Sequence, residues 1–272
     1  MSKIIKIGKS EFELGKRTYI MGILNVTPDS FSDGGKFNTL ESAVKRAKEM
    51  VEQGADIIDV GGESTRPNHI PVSEEEEIKR VIPVIRALAK EIDVPISVDT
   101  YKANVAEIAV KEGASLINDV WGFKREPKIA QVAAKYDAAC CLMHNRNNNI
   151  YNNIIDDIIN DLKESIKIAL KAGVSPDKII LDPGIGFAKD YNQNLIVMNK
   201  LEKLTTLGYP VMLATSRKSM IGNTLNLPPE DRVEGTIATT VIGIMKNCDF
   251  VRVHDIIQNK RACIMTDAIV RK

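Results

Sequence analysis

The chain repeats one unit: a short apolar run rich in β-branched residues, then a polar loop, then an amphipathic segment. Each apolar run is short and continuously apolar, which indicates a strand covered on both faces, as in a parallel sheet. The predicted strands are Tyr19–Leu24, Asp56–Val60, Pro95–Val98, Ser115–Val120, Ala138–Met143, Lys178–Leu181, Pro210–Ala214 and Asp249–Val253. Strands of this kind, alternating with helical segments, favour an α/β fold.

The segments between the runs carry helix signals. Apolar residues from Leu40 to Gln53 fall on one face, Asn38 or Thr39 can cap the start, and Gly54 suits the left-handed residue after the end. Ser73 with Glu76 forms a capping box that predicts another helix start. Further helices are predicted over Val105–Glu112, Lys128–Lys135, Ile154–Ala172, Asn194–Leu207, Arg232–Lys246 and Ile256–Val270.

This alternation predicts a (β/α)8 TIM barrel, with residues 1–272 as a single domain. The length of 272 residues is close to the roughly 250 of such a barrel. Two smaller domains would fit the length as well, but no Pro/Gly/Ser-rich linker divides the chain. A dinucleotide-binding open sheet would carry GxGxxG after an early strand, and Ile23–Asp33 offers nothing of that kind.

Composition narrows the class of partner. The formal net charge is +1, so no whole-molecule field attracts nucleic acid or an anionic membrane, and an anion must be bound by a few local groups. None of the four cysteines forms a CxxC pair, and Cys140 and Cys141 point to opposite faces of a strand, which argues against a zinc or disulfide framework. Without a signal-like N-terminus or a long apolar span, the expected location is the cytoplasm.

In a barrel of this kind, the loops that follow the strands build the active site. Here those loops are rich in polar residues, and some have an ordinary structural explanation. Asp29, Ser73 and Asp255 suit helix caps, and His144 suits a hydrogen-bonded histidine. Other polar residues lie within or at the tips of apolar strands, where an unpaired polar group is costly. These are Asp99, Asn118, Asp182 and Arg252.

Two chemical demands follow from this set. Arg66, Lys218, Arg252 and His254 come from separate loops and together suit a phosphate or diphosphate. Asn25 offers an amide oxygen to a Mg²⁺ ion carried on such a group, because Mg²⁺ takes few protein ligands.

The second demand is a flat polar heterocycle, for which donors, acceptors and apolar walls are all at hand. Carboxylates would accept from ring N–H groups and a lysine would donate to a ring carbonyl. The residues are Asp99, Asn118, Asp182 and Lys218, with Met143 and Phe187 as walls.

The motifs that carry these residues closely resemble those of the dihydropteroate synthase family, the folate-pathway enzymes that sulfonamides inhibit. They occur in family order across nearly the whole chain. The matching segments are Asn25–Gly35, Asp59–Pro67, Ser97–Thr100, Ile117–Val120, Leu181–Phe187, Ser216–Ser219 and Arg252–Asp255.

The resemblance implies that a dihydropterin methyl diphosphate and 4-aminobenzoate (p-aminobenzoate) give dihydropteroate and diphosphate, with Mg²⁺ as cofactor. It implies pterin binding by Asp99, Asn118, Asp182 and Lys218 and diphosphate binding by Asn25, Arg66, Arg252 and His254, with Mg²⁺ on Asn25. It puts p-aminobenzoate near Phe31, Thr65 and Pro67, with its carboxylate near Ser219, and Asp33 over the diphosphate. The expected catalytic residues are Asp33, Asp99, Asp182 and Lys218, on a homodimer with no nucleic acid or membrane partner.

Some positions depart from the family pattern. Ala214 and Met220 stand where many relatives have Gly and Phe, and His144 is followed by NRNNNIYNN instead of a Gly/Pro-containing loop. We therefore leave His144 outside the expected site.

Two alternatives remain. A corrinoid-dependent pterin methyltransferase would share the pterin residues but has no need of the cationic clamp or the SRKS loop. A non-catalytic pterin-binding barrel could lose the clamp or the lid loops, Asn25–Phe37 and Gly61–Val72, yet the clamp residues are present.

Overall fold

The computed structural model describes residues 4–27, 36–63 and 71–271, with side chains from residue 40 onward in the second stretch. Eight parallel strands form a barrel. They are β3 (Tyr19–Asn25), β4 (Ile57–Gly61), β5 (Ile96–Asp99), β6 (Leu116–Asp119), β7 (Ala139–Met143), β8 (Ile179–Asp182), β9 (Met212–Leu213) and β10 (Phe250–Val253). Their order is β8-β7-β6-β5-β4-β3-β10-β9, and a parallel bridge between Leu181 and Val211 joins the two ends of this order.

Helices follow the barrel strands and cover the outside. They are α1 (Lys36–Glu52), α2 (Glu74–Glu91), α3 (Ala103–Lys111), α4 (Lys128–Lys135), α5 (Ile154–Ala172), α6 (Tyr191–Asn199), α7 (Ser219–Leu225), α8 (Val233–Met245) and α9 (Ile256–Val270). Short 3₁₀ turns cover Pro176–Lys178, Leu201–Leu207 and Pro229–Asp231. The prediction of a (β/α)8 TIM barrel is confirmed.

Alternation along the strands divides the core in two. Outward residues such as Ile58, Val98 and Cys140 pack against the helices in one large cluster. Inward residues such as Ile57 and Cys141 form a second cluster inside the barrel. The opposite orientation expected for Cys140 and Cys141 is therefore observed, and both are buried free thiols.

An N-terminal hairpin closes the lower end of the barrel, and the sequence patterns did not reveal it. Strands β1 (Ile4–Ile7) and β2 (Ser10–Glu13) pair antiparallel. Their buried side chains join the interior cluster, where the Phe12 ring lies 4.9 Å from that of Tyr19 and 5.7 Å from that of Phe250. The hairpin therefore fills the end of the barrel where the strands begin.

Most local signals worked, with two corrections. Ser73 caps α2 by accepting from the Glu76 N–H at 3.2 Å, and Gly54 has the expected positive φ of 101°. Helix α1 begins at Lys36, however, so Asn38 and Thr39 lie inside it and do not cap it. The predicted helix over Asn194–Leu207 is two elements, α6 and the 3₁₀ turn that follows it. Between β9 and β10 the chain forms two helices: α7 begins at Ser219, and α8 lies within one residue of the predicted bounds Arg232–Lys246.

Within the part of the chain described by the structure, no helix is both long enough and apolar enough to cross a membrane.

Candidate functional site

The inward-facing residues change character toward the C-terminal ends of the strands. Lower down they are apolar, as with Ile57 on β4 and Leu116 on β6. Two residues further along the same strands they are Asp59 and Asn118, both buried. Since alternate residues of a strand point to the same side, polar groups collect inside the upper end of the barrel.

Four of these groups form one hydrogen-bonded cluster. Asp59 Oδ2 accepts from Arg252 Nε at 2.6 Å and from Asn118 Nδ2 at 3.1 Å. Arg252 Nη2 donates to Asp99 Oδ2 at 2.7 Å. The Arg252 side chain is 15% exposed and that of Asp59 is 0% exposed, so the cluster is largely removed from solvent.

Burial and charge set the protonation of this cluster. Burial raises the pKa of Asp99 to about 7, against the opposing effect of Arg252 and with help from the nearby Asp59 carboxylate. Burial also works against the charged form of Arg252, but the carboxylates of Asp59 and Asp99 outweigh it and raise the pKa of Arg252. The guanidinium therefore stays charged, and burial makes the Asp99 carboxyl easier to protonate than a carboxyl in water.

Strand β8 and the loop after β9 supply a second group of polar atoms. Asp182, next to Met143 in strand register, accepts the Gly184 N–H through Oδ1 at 2.6 Å. Lys218 Nζ donates to the Ile185 carbonyl at 2.5 Å and lies 4.9 Å from the centre of the Phe187 ring. A carboxylate, an ammonium and an aromatic ring thus line one wall.

Burial shifts the pKa values of the two charged groups in this wall. Burial raises the pKa of the Asp182 carboxyl, and Lys218 and the Gly184 N–H act against that shift. Burial lowers the pKa of Lys218 to about 8, with Asp182 opposing it and Arg252 adding to it. Both groups are therefore poised to gain from a ligand that supplies a complementary donor and acceptor.

Lys189 holds the loop that carries Phe187. Its ammonium donates to the carbonyls of Gly184 at 2.9 Å and Phe187 at 3.0 Å, and it contacts His144 Nδ1 at 2.9 Å. Gly184 has φ 68°, and a Cβ there would overlap the His144 carbonyl. Asn194 adds a further clamp by accepting the Gly186 N–H at 2.7 Å. The loop geometry is therefore fixed by side chains from outside it.

His144 is a link in this clamp. Its ring is fully buried, and Nε2 lies 2.9 Å from Asp161 Oδ2 on α5, which also accepts from Arg146 Nε at 2.5 Å. Burial lowers the pKa of His144 to about 4. A neutral ring with the proton on Nε2 satisfies both contacts, since it donates to Asp161 and accepts from Lys189. This agrees with the structural role considered for His144.

A separate buried network lies beside the second loop. Lys102 Nζ donates to Glu63 at 2.6 Å, to Glu77 at 2.5 Å and to the Val72 carbonyl at 2.8 Å. Tyr101 also donates to Glu63, at 2.8 Å. One lysine therefore ties together residues that flank positions 64–70.

The remaining predicted residues lie at strand ends. Asn25 ends β3 and is exposed, and Met143 ends β7 and is buried. His254 Nδ1 lies 2.9 Å from Ser216 Oγ, which also accepts the His254 N–H at 3.1 Å. Ser219 is the exposed first residue of α7. All four therefore lie at the C-terminal ends of the barrel strands or in the segments that follow them.

The structure therefore places Asp99, Asn118, Asp182, Lys218 and Arg252 inside the upper barrel with Met143 and Phe187 beside them. Phe31, Asp33, Thr65, Arg66 and Pro67 lie outside the described residues, as do most of both predicted lid loops.

Arg252 lies closer to the carboxylates than the sequence indicated. The sequence predicts cations at the mouth of the barrel beside an acidic slot, and Arg252 lies within that slot, where it pairs with Asp59 and Asp99. The physical reason is strand alternation, which points Arg252 of β10 inward, toward Asp59 on β4, two strands away, and Asp99 on β5, three strands away.

Two other strand-end acids have structural roles. Asp119 accepts the N–H groups of Trp121 at 2.8 Å and Phe123 at 2.7 Å, on the outward side of β6. Asp255 pairs with Arg217 through two hydrogen bonds of 3.0 and 2.6 Å.

Sequence reasoning missed Asp59 and Lys189. Asp59 had a signal, because it is a carboxylate inside the apolar run DIIDV and shares a face with Ile57. Lys189 had no such signal, because a lysine in a polar loop is common. Its buried partners are main-chain carbonyls and a histidine that is distant in the sequence.

The donor set also bears on metal binding. Within residues 4–27, 36–63 and 71–271, no group of three His, Cys, Asp or Glu side chains could hold a metal ion. Gly61 lies between Asn25 and Asp99 in strand register, so the Asn25 amide lies beside a residue without a side chain. A single amide oxygen is a sufficient protein ligand for Mg²⁺ when waters and anion oxygens supply the rest of its coordination.

Comparisons with known proteins cover almost the whole chain. The profile of the pterin binding enzyme family matches residues 21–254. A dihydropteroate synthase of Clostridium beijerinckii is 65% identical over 269 residues, which are 98% of this chain and 100% of that relative.

Solved structures agree with this match. The crystal structure of a dihydropteroate synthase from Clostridium difficile, in the presence of pteroic acid, has a TM-score of 0.94 and 57% identity and covers 96% of this chain and 100% of that one. A Xanthomonas albilineans dihydropteroate synthase with 4-aminobenzoic acid has a TM-score of 0.94 and 37% identity and covers 99% of this chain and 98% of that one. Sequence and fold therefore point to the same relatives.

Proposed function

This chain belongs to the pterin binding enzyme family, and from that premise we propose that its barrel mouth works as that of a dihydropteroate synthase. The reaction joins a dihydropterin methyl diphosphate to 4-aminobenzoate and releases diphosphate. The proposal rests on one observation: buried acidic, amide and cationic side chains hydrogen-bond to one another at one end of the barrel.

The pterin ring binds in the acidic slot. Its N–H edge requires acceptors, which Asp182 and Asp99 supply, while Asn118 offers both a donor and an acceptor. Lys218 donates to a ring carbonyl, and Met143 and Phe187 cover the ring faces. Because burial raises the pKa of both carboxyls, ring N–H donors that favour their charged forms are bound strongly.

Diphosphate binds on the outer side of the pterin, toward Asn25 and His254. Ser216 fixes the imidazole of His254 through Nδ1, and Arg252 supplies a permanent positive charge below. Arg66 would complete this site from the second loop, and Asp33 would close over it from the first. The residues present fit Mg²⁺, held by Asn25 Oδ1 and diphosphate oxygens, where the ion would neutralise charge that builds up on the leaving group.

The second substrate binds across the mouth. Phe31, Thr65 and Pro67 are proposed to hold the aromatic ring, with the carboxylate near the exposed hydroxyl of Ser219 at the start of α7. Sulfonamides have the same para-amino ring with an acidic group opposite, so we expect them to compete with 4-aminobenzoate.

The substitution is proposed to be dissociative. The bond between the pterin methylene and oxygen breaks first, and its electron pair leaves with diphosphate, assisted by Arg66, Arg252 and His254. The carboxylates of Asp99 and Asp182 stabilise the positive charge that remains on the pterin. The aniline nitrogen of 4-aminobenzoate then attacks the methylene and loses a proton. Positioning and preformed charge supply most of the acceleration.

An assay of diphosphate release tests the proposal. Purified protein should release diphosphate from the pterin substrate only when 4-aminobenzoate is present, and chelation of Mg²⁺ with EDTA should abolish the release. Asn25→Ala should raise the Mg²⁺ concentration that gives half-maximal rate, and titration of the metal with the bound substrate should show the same weakening. Release that does not depend on the amine would end the synthase proposal.

We also propose a cytoplasmic homodimer. Helices α8 and α9 expose large apolar side chains, including Met245, Ile264, Met265 and Ile269, which would be covered in a dimer. Light scattering of the Met265→Lys variant should report a monomer where the unchanged chain is a dimer, and equal masses would contradict this interface.

A further inference from the structure

Asp59 occupies an unusual place in the barrel. It lies on β4 two residues after Ile57, on the same inward face, with Ile23 and Ser97 as its register partners on the adjacent strands. Its side chain is 0% exposed. A charged group has thus replaced the apolar residue that the core pattern would continue.

Among the described residues, the side chain of Asp59 hydrogen-bonds to Arg252 and Asn118 alone. Oδ2 accepts from Arg252 Nε at 2.6 Å and from Asn118 Nδ2 at 3.1 Å. The three residues lie on alternate strands of the barrel, β10, β4 and β6, and inward side chains from alternate strands meet in one layer. Asp59 therefore contacts both partners within that layer.

Stability does not explain this carboxylate. Burying a charge costs free energy that an ion pair only partly offsets, and apolar replacements of such pairs are often as stable or more so. Asp59 Oδ1 has no hydrogen-bond partner among the described residues, which adds to the cost. A residue this costly in the core indicates a role in the site above it.

The geometry of Arg252 shows what that role is. Asp59 takes its Nε–H and Asp99 takes an Nη2–H at 2.7 Å, so two carboxylates fix the plane of the guanidinium. The same Asp59 oxygen fixes the amide group of Asn118, whose donor nitrogen is turned toward the barrel centre and whose oxygen is thereby set. Without Asp59, Arg252 would retain only Asp99, and Asn118 could rotate.

We propose that Asp59 is a positioning residue of the reaction, which orients Arg252 and Asn118 for the pterin substrate without touching it. The inference rests on the proposed function, since both partners are assigned there to substrate binding. It predicts that loss of the Asp59 charge lowers kcat/KM for the pterin substrate and leaves KM for 4-aminobenzoate nearly unchanged.

The test compares Asp59→Asn with Asp56→Asn. Asp56 is three residues earlier, also pairs with an arginine (Arg17 Nη2 at 2.6 Å) and accepts the Ile20 N–H at 2.8 Å, but it is at the opposite end of the barrel. For Asp59→Asn we expect kcat/KM for the pterin substrate to fall by about ten- to a hundredfold, with KM for 4-aminobenzoate within about threefold. For Asp56→Asn we expect lower thermal stability and unchanged kinetics.

A double-mutant cycle identifies the route of the effect. Added to Arg252→Gln, the Asp59→Asn change should lower kcat/KM far less than it does alone, because its main partner is already gone. If Asp59→Asn alone does not fold, the comparison of Arg252→Gln with the double variant carries the test, and a further loss above about tenfold there contradicts the proposal.

The outcomes separate this inference from the function itself. An unchanged chain without amine-dependent diphosphate release ends the function and the inference together. An active unchanged chain whose Asp59→Asn variant matches Asp56→Asn, or loses both substrates equally, overturns only the role of Asp59.

Discussion

Lys189 should control pterin binding although it lies behind the site. Its ammonium donates to Gly184 and Phe187 and contacts His144, at 2.9, 3.0 and 2.9 Å. Lys189→Met keeps most of the side-chain volume and removes all three contacts. The two carbonyls belong to the loop between Asp182 and Phe187, so this loop is free to shift when they lose their donor.

The magnitude follows from these contacts. Each lost hydrogen bond is worth about 1 kcal/mol net, so the three together amount to about 3 kcal/mol of stability. Burial lowers the pKa of Lys189 to about 7, so removing the ammonium also removes a desolvation cost and offsets part of that loss. A displacement of about 1 Å in a substrate-holding group can cost about a hundredfold in rate, and we expect kcat/KM for the pterin substrate to fall by that order.

Steady-state kinetics with each substrate varied in turn provide the assay. Lys246→Met is the matched control, since Lys246 Nζ also donates to a main-chain carbonyl (Asn199, 2.7 Å) and to Glu202, at the other end of the barrel. KM for 4-aminobenzoate should stay within about threefold in both variants, as expected when a remote contact affects one substrate only. If Lys189→Met retains pterin kcat/KM close to that of Lys246→Met, the loop does not depend on this clamp and the reasoning is refuted.

Three further outcomes are expected. Burial lowers the pKa of Lys218 to about 8 beside Asp182, Asp99 and Arg252, so kcat/KM for the pterin substrate should fall as pH rises through about 8. Lys218→Arg should be slower than the unchanged chain and should not show this fall at alkaline pH. An identical pH profile in the variant would exclude Lys218 as the source of the fall. Phe12→Ala should lower the free energy of unfolding by about 3–5 kcal/mol, measured by calorimetry, and leave kcat at ambient temperature unchanged. An unaltered melting temperature would mean that the hairpin is not part of the core. Ser219→Ala should mainly raise KM for 4-aminobenzoate, by about tenfold for a lost hydrogen bond to a charged group, and an effect confined to the pterin substrate would contradict its placement.

The sequence anticipated those features that depend on local periodicity. Short apolar runs identified the barrel strands because residues buried on both faces must be apolar, and helices α4, α5 and α9 match their predicted bounds. The hairpin β1–β2 was missed because each strand has only four residues, too few for the alternation of exposed and buried side chains to stand out from a loop. The break between α6 and the 3₁₀ turn after it was missed because both have similar apolar spacing.

What the sequence alone determined is the architecture, the family motifs and the set of polar residues at the strand ends, because each is written in consecutive or periodic positions. Only the tertiary structure decided which of those residues meet. Arg252 and Asp59 are 193 residues apart and come together because alternate barrel strands point their side chains into one layer. A motif identifies the residues, but a carboxylate and a guanidinium interact only when they are close in space. Strand register sets the distance between them.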